Sequence, residues 1–372
     1  MTNKDITKIY FQGNEIVALY QGSTLIFKKK PTGVYIIKGS VIPDSTAQNI
    51  QFTVNGVREQ FDVNNDKTFE HTFVNVPVTN MDDFALPITG SLKTIDLSSL
   101  NTSQVTSMIR AFYGCSDLMS IDLTNVDTSN VTKMIQMFDQ CNNLTSLDVS
   151  NFNTSNVTNM SSMFSNCQKL SSLDVSNFNT SKVTNMHFMF SNCKGLTSLD
   201  VSNFDTSKVK IMIGMFKGCS NLTSLDLSSF DTSNVMNMSS MFMDCSGLTS
   251  LDLSSFDTSN VMNMQYMFGW CDTLVNLYIN FDTSNVTDYD YLNDIFISDK
   301  KLENVVGKFE GAKVNLDLQY CPLTAQSAMV FINGLATVTT TRRLSLSATT
   351  YDSLTTEQIA IATAKGWTVT RS

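Results

Sequence analysis

The chain has 372 residues, 42% of them apolar and 10% aromatic but only 16% charged, so serine, threonine and asparagine must carry much of its solubility. A net charge of −9 repels phosphate backbones and argues against nucleic acid as a partner. Met1 to Ile6 show no basic segment leading into an apolar run, and no apolar stretch is long enough to span a bilayer; neither a secretory signal nor a membrane span is expected, and the chain is expected to start in a cytoplasm.

Residues 1–30 contain a short duplication, Phe11-Gln-Gly-Asn-Glu-Ile16 against Tyr20-Gln-Gly-Ser-Thr-Leu25. Glycine turns between alternating runs predict a β-meander that ends at the basic run Lys28-Lys29-Lys30, before Pro31. Residues 33–90 carry strand-like runs at Val34–Val41, Asn49–Val54, Val57–Val63 and Thr68–Val76. Asn55-Gly56 separates two of them and tolerates the positive φ of a tight hairpin, so a small antiparallel β domain bounded by Pro31 and Pro87 is predicted.

From residue 92 the sequence repeats itself. Cys115, Cys141, Cys167, Cys193, Cys219, Cys245 and Cys271 follow one another at intervals of 26 residues. The unit beginning at Leu144 recurs from Leu92, Leu118, Leu170, Leu196, Leu222 and Leu248, while an eighth, from Leu274, reads as one residue short and lacks its cysteine. In Leu144-x-x-Leu147-Asp148-Val149 the apolar residues alternate, which predicts a strand. Val157, Met160, Met163, Phe164 and Cys167 fall three to four apart, which predicts one face of a short helix, with Thr154, Ser155 and Asn156 as capping residues before it. One strand and one short helix per repeat, stacked in register, make an α/β solenoid of leucine-rich-repeat type over 92–301. Equivalent cysteines at the ends of adjacent helices would lie ~8–10 Å apart, too far for a disulfide. With no Cys-x-x-Cys pair for a metal, they read as buried fillers of a constant slot.

Beyond residue 302 the strict period ends and the logic continues. Leu316-Asp-Leu318 opens a strand followed by a helical run over Ala328–Leu335, and Leu344-Ser-Leu346 opens a second unit. Its helix should start at Thr355, paired with Gln358 as a capping box, and stop at Gly366, with Trp367-Thr-Val369 as a last strand. Residues 302–372 thus read as a capping pair of leucine-rich repeats.

The segments Leu222-Thr-Ser-Leu-Asp-Leu-Ser-Ser-Phe-Asp-Thr-Ser-Asn-Val235 and Met238-Ser-Ser-Met-Phe242 closely resemble the BspA-like leucine-rich repeats of bacterial surface proteins, lipoproteins and adhesins, a family also found in phage proteins of gut bacteria. The cap, with Cys321-Pro-Leu-Thr-Ala-Gln-Ser-Ala-Met329 and Ile359-Ala-Ile-Ala-Thr-Ala-Lys-Gly-Trp367, looks like the C-terminal end of the phage and gut-bacterial versions. Tyr20-Gln-Gly-Ser-Thr-Leu-Ile26 is similar to short β modules of phage tail-associated proteins. The resemblance implies a virion protein, tail or fibre associated, made in the host cytoplasm. Its N-terminal β modules would hold other virion proteins, and its solenoid would bind a host-surface polysaccharide or protein. A surface adhesin located on the bacterial cell is the alternative.

No nucleophile elbow, zinc-protease helix, P-loop or dinucleotide fingerprint is present, and the two histidines, His71 and His187, fall in different modules, so no enzyme and no cofactor are expected. A hydrolase would have to rest on carboxylates alone. Asp96, Asp122, Asp148, Asp174, Asp200, Asp226 and Asp252 form a column on the strand face. Neighbours there match the spacing of a retaining glycosidase pair, but a catalytic pair is normally unique. Stacked like charges need relief, from serine and threonine hydroxyls and water or from a cation such as Ca²⁺. Asp122 to Asp252 are therefore candidate ligand-binding residues. The second candidate face is the helix positions that vary between repeats, with Phe188, Tyr266 and Trp270 as exposed aromatics.

Overall fold

The computed structural model describes residues 8–12, 15–21, 24–28, 34–41, 49–74, 77–86, 90–292 and 294–372. Strands β1 (Lys8–Gln12), β2 (Glu15–Gln21) and β3 (Thr24–Lys28) form an antiparallel sheet, following the alternating runs. Lys29, Lys30, Pro31 and Pro87 lie outside the described residues.

Strands β4 (Val34–Val41), β5 (Asn49–Val54), β6 (Val57–Asp62) and β7 (Thr68–Val74) follow the next four runs. Asn55 at φ 52° and Gly56 at φ 76° close the β5–β6 hairpin. Strand β4 pairs antiparallel with β7 on one side and with β8 (Leu92–Asp96) on the other, and β8 continues in parallel to β9 (Ser120–Asp122). The N-terminal strands and the first two rungs of the solenoid thus share one sheet. Their cores merge as well: Phe52 packs on Phe61, Phe69 and Phe84, and Phe84 meets Phe112 edge-on.

The molecule is a leucine-rich-repeat-type stack with a rung every 26 residues, but among the described residues its rungs contain no α-helix, and the predicted strand forms only at Leu92–Asp96, Ser120–Asp122, Ser250–Leu253 and Asn276–Asp282, not at 144–149. The segment predicted to be helical is a run of linked turns. In the unit from Leu144, the amides of Met163, Ser165 and Cys167 return to the carbonyls three residues back, while those of Met160, Ser162, Phe164 and Asn166 reach carbonyls of the following repeat. Alternate amides close turns and the others join rungs, so the backbone donors of this face are used without a helix. The turns require positive φ at two positions per rung, 54° at Ser162 and 58° at Asn166 in this one. Both arrangements turn Val157, Met160, Met163, Phe164 and Cys167 inward, so burial is as expected and only the backbone differs.

Without helices, rungs approach to β spacing. Parallel bridges run Lys133↔Asn159↔Asn185↔Ile211↔Asn237↔Asn263. The phenylalanine column, Phe112, Phe138, Phe164, Phe190, Phe216, Phe242, Phe268 and Phe296, is one stack with neighbouring centroids 5.2–5.9 Å apart and rings within 9° of parallel. The 8–10 Å expected between cysteines therefore does not apply. The thiols are buried and free, and Cys141 to Cys271 each donate to the phenylalanine carbonyl of the preceding rung, as Cys167 does to Phe138 at 3.2 Å. Thr154 is buried too and does not cap a helix; its hydroxyl donates to the Asn179 carbonyl at 3.0 Å and accepts the Asn179 amide at 2.7 Å. The other buried threonines, Thr102 to Thr283, make the same donation to the next rung.

Two boundaries differ from expectation. Val78–Leu86 already forms a half-rung: Met81, Asp83 and Ala85 donate to Ser107, Ile109 and Ala111, and Asp83 has the positive φ of the turn column. The eighth unit is shortened only in its first half. Its second half is extended around a 3-10 turn, Tyr289–Tyr291, and Phe296 and Asp299 then take the places of Phe268 and Cys271. Strands β10 (Ser250–Leu253), β11 (Asn276–Asp282) and β12 (Asn304–Glu310) close this part as a parallel sheet.

The cap is built as its sequence predicts, with helices. Strands β13 (Leu316–Leu318), β14 (Arg342–Leu346) and β15 (Trp367–Arg371) are parallel. Helix α1 (Ala325–Gly334) packs on β12, a short α2 (Ala348–Asp352) follows β14, and α3 (Thr356–Ala364) opens on the Thr355–Gln358 capping box and ends before Gly366 at φ 89°.

Candidate functional site

The aspartate column lies where the alternation places it, on the strand side of each rung, with Leu147 and Val149 buried and Asp148 exposed in the representative unit. Each carboxylate closes a local turn. The Ser150 amide donates to Asp148 Oδ1 at 2.9 Å, and the equivalent amides of Ser98, Thr124, Ser176, Ser202, Ser228 and Ser254 do the same at 2.9–3.0 Å. At Asp96, Asp122 and Asp252 the hydroxyl two residues on adds a bond of 2.5–2.6 Å. The hydroxyl and amide of the following serine hold Asp148, Asp174 and Asp252 below the usual carboxylate range, and the amide and hydroxyl do so for Asp200 and Asp226. Repulsion from Asp174 acts on Asp148 the other way and is outweighed. Local hydrogen bonding thus accounts for the stacked charges, and among the described residues no three His, Cys, Asp or Glu side chains converge on a metal position.

At its N-terminal end the row opens into a groove of about 600 Å³ between β7, β4, β8 and β9. Lys38 Nζ stands 3.0 Å from Asp96 Oδ2, and the hydroxyls of Ser40 and Thr94 pair at 2.8 Å. Asn64, Thr68, Glu70, Ser120 and Asp122 complete the polar lining. Asp96, with Glu70 and Asp122 further off, raises the Lys38 amine. Burial works against the Asp96 carboxylate, yet Ser98 and Lys38 hold it below its ordinary value. One ammonium facing three carboxylates, among hydroxyls, can hydrogen-bond a polyhydroxylated ligand and attract a cationic group. Lys38, Ser40 and Glu70 were not candidates from the sequence, because they reach the row only through the antiparallel register that sets Lys38 opposite Asp96 and Glu70 opposite Lys38.

The aromatic candidates sit on the turn side and are half-buried rather than exposed. Tyr266 and Trp270 share a rung with centroids 5.8 Å apart, whereas Phe188 is three rungs away, about 15 Å at the spacing of a parallel sheet, and covers Gly214 instead. Phe188, Tyr266 and Trp270 hold φ of 53°, 57° and 61°, a conformation that bulky side chains rarely adopt. His187 lies 4.6 Å from the Phe188 ring and His71 stacks on Phe61; burial lowers both imidazoles, and neither lines the groove. Burial also pushes the thiols up, to about 12 at Cys115 and Cys219, so they are poor nucleophiles. Among the described residues no helix is long and apolar enough to cross a membrane.

No curated protein matches this chain. Among solved structures, one titled "Crystal structure of TLR13-ssRNA13 complex" is similar over 73% of this chain and 42% of its own, at 17% identity and a TM-score of 0.27, so the present chain spans less than half of that one. A family model described as "Mycoplasma protein of unknown function, DUF285" matches residues 79–199 and 194–309, from the half-rung at Val78–Leu86 to the last strand before the cap. The match covers more than half of the chain, and the chain belongs to that family.

Proposed function

We propose that the chain is a non-enzymatic binding module whose strand face, from the Lys38–Asp96 groove along Asp122 to Asp252, engages a polysaccharide or protein on a cell surface. The observation that carries this reading is the way each carboxylate of the row is held. Oδ1 is fixed by its own turn, so identical polar groups are presented rung after rung on a stiff stack. Preorganised groups bind at a smaller entropic cost than mobile ones. The Tyr266–Trp270 pair offers a second contact area on the turn side.

The vehicle we propose is a phage tail or fibre, with the N-terminal strands contacting other virion proteins; this rests on the resemblance of the cap and of Tyr20–Ile26 to phage-associated proteins. A bacterial cell-surface adhesin is the second reading, and the family's description, which refers to a bacterium, favours it. The test applies the purified, fluorescently labelled chain to intact cells, to cells stripped of surface polysaccharide and to protease-shaved cells, with released reducing ends measured in parallel. Saturable binding lost with one of the two treatments supports the proposal and assigns the ligand class. Release of reducing ends from the polysaccharide would replace it with a hydrolase. Mass spectrometry of purified virions and of a cell-wall fraction decides the vehicle.

A further inference from the structure

Where the regular rungs meet the cap, the cysteine column is interrupted by Asp299. Its amide donates to the Phe296 carbonyl and its carbonyl accepts the Leu302 amide, the contacts that Cys271 makes with Phe268 and Leu274 one rung earlier. The carboxyl therefore enters the slot that a thiol fills elsewhere, and Asp299 is 0% exposed. Oδ1 accepts the Cys271 amide at 2.9 Å, while Oδ2 is buried without a hydrogen-bond partner among the described residues. From the preceding rung it is faced by Cys271, with Asp272 beside it, itself 4.0 Å from Lys300 at the surface. From the following rung it is faced by Cys321, with Asp317 behind. Burial keeps both thiols protonated, and no buried cation is present among these groups. An ionised carboxylate here has one hydrogen bond and no counter-charge, an arrangement that favours the neutral acid or the entry of water.

We propose that Asp299 is a proton-operated latch between repeats and cap: neutral, it seals the junction, and ionised, it lets the rungs Phe268–Leu274 and Phe296–Leu302 open to solvent. Burial raises its carboxyl to about 8 against the opposing Cys271 amide, which places the transition near neutral pH. Because the closed state holds a proton that the open state releases, the latch's contribution is whole below about pH 4 and gone above about pH 8.

The test is amide hydrogen exchange of the full chain between pH 5 and 9, corrected for intrinsic rates, on wild type, Asp299→Asn and Asp299→Cys. In wild type the opening constant at Cys271 and its neighbours rises about tenfold per pH unit between about pH 5 and 7 and levels off above about pH 8. In both variants it is flat, and Asp299→Cys, which restores the residue of the column, covers the case in which the amide is not accommodated. A wild-type profile that is already flat, or the same slope in Asp299→Cys, overturns the latch. Carboxyl carbon NMR adds an independent readout: titration of Asp299 near pH 8 supports it, and titration below pH 5 overturns it.

Discussion

At the scale of single residues, the solenoid depends on side chains that join one rung to the next. Thr154 both donates to and accepts from Asn179, so Thr154→Val removes two part-buried hydrogen bonds between rungs and should cost about 1–3 kcal/mol in denaturant unfolding. A loss under about 0.5 kcal/mol would mean the threonine ladder is incidental. Gly214 is the second case. A Cβ there would lie 2.1 Å from the Phe188 ring, and φ is +55°, so Gly214→Ala should destabilise by about 1–2 kcal/mol. In a double-mutant cycle, Phe188→Ala should recover the ring clash but not the backbone cost; strict additivity would contradict that contact. Burial was legible at this scale, since every Val, Met, Phe and Cys column is inside. What the side chains do there was not: Thr154 reads equally well as a cap, and Asp299 carries no period because it replaces the cysteine it aligns with.

At the scale of the element, apolar spacing of three to four is shared by a helix and by linked turns, so Val157 to Cys167 alone cannot separate them. The separating signal is at the other positions. Gly114, Asn166, Asn192, Gly218 and Asp244 occupy one positive-φ column and Gly214 the other, residue types that tolerate left-handed backbone and weaken a helix. The alternation across Asp148 was legible as burial, with Leu147 and Val149 inside, but the strand it predicts forms only in rungs toward the two ends of the stack, as β8, β9, β10 and β11, and not at 144–149; the N-terminal hairpin was legible because Asn55-Gly56 fixes its turn. The groove was not, because its lining comes from chain segments distant in sequence. The turns closed by the aspartates should be acid-sensitive. Their carboxyls are held below the unfolded value, so the stability they contribute is complete above about pH 4 and lost as pH falls through the lowered values. Asp174→Asn, Asp200→Asn and Asp226→Asn together should flatten the fall in Tm between about pH 4 and pH 2 and leave Tm near neutrality at or slightly below that of wild type, because the amide is a weaker turn acceptor than the carboxylate. A triple variant that tracks wild type through that range would remove the carboxylates from the account of the turns.

For the whole molecule, each rung buries its faces only against its neighbours, so damage in mid-stack should spread. Val209 is fully buried, and Val209→Asp should cost on the order of 4 kcal/mol, with hydrogen-exchange protection lost in the rungs on both sides. An unchanged Tm would refute that burial. The strand face is the surface on which the functional account rests, and the triple Asp174→Asn, Asp200→Asn, Asp226→Asn variant tests it most directly because the amides preserve shape and keep a turn acceptor. The measurement is a binding isotherm of the labelled chain on intact cells, wild type against the triple variant, with folding checked by Tm. The account predicts binding reduced at least tenfold in a variant that melts normally, with Tyr266→Ala and Trp270→Ala having the smaller effect. Full binding by the folded triple variant, together with loss in the aromatic pair, would contradict it and move the site to the turn face.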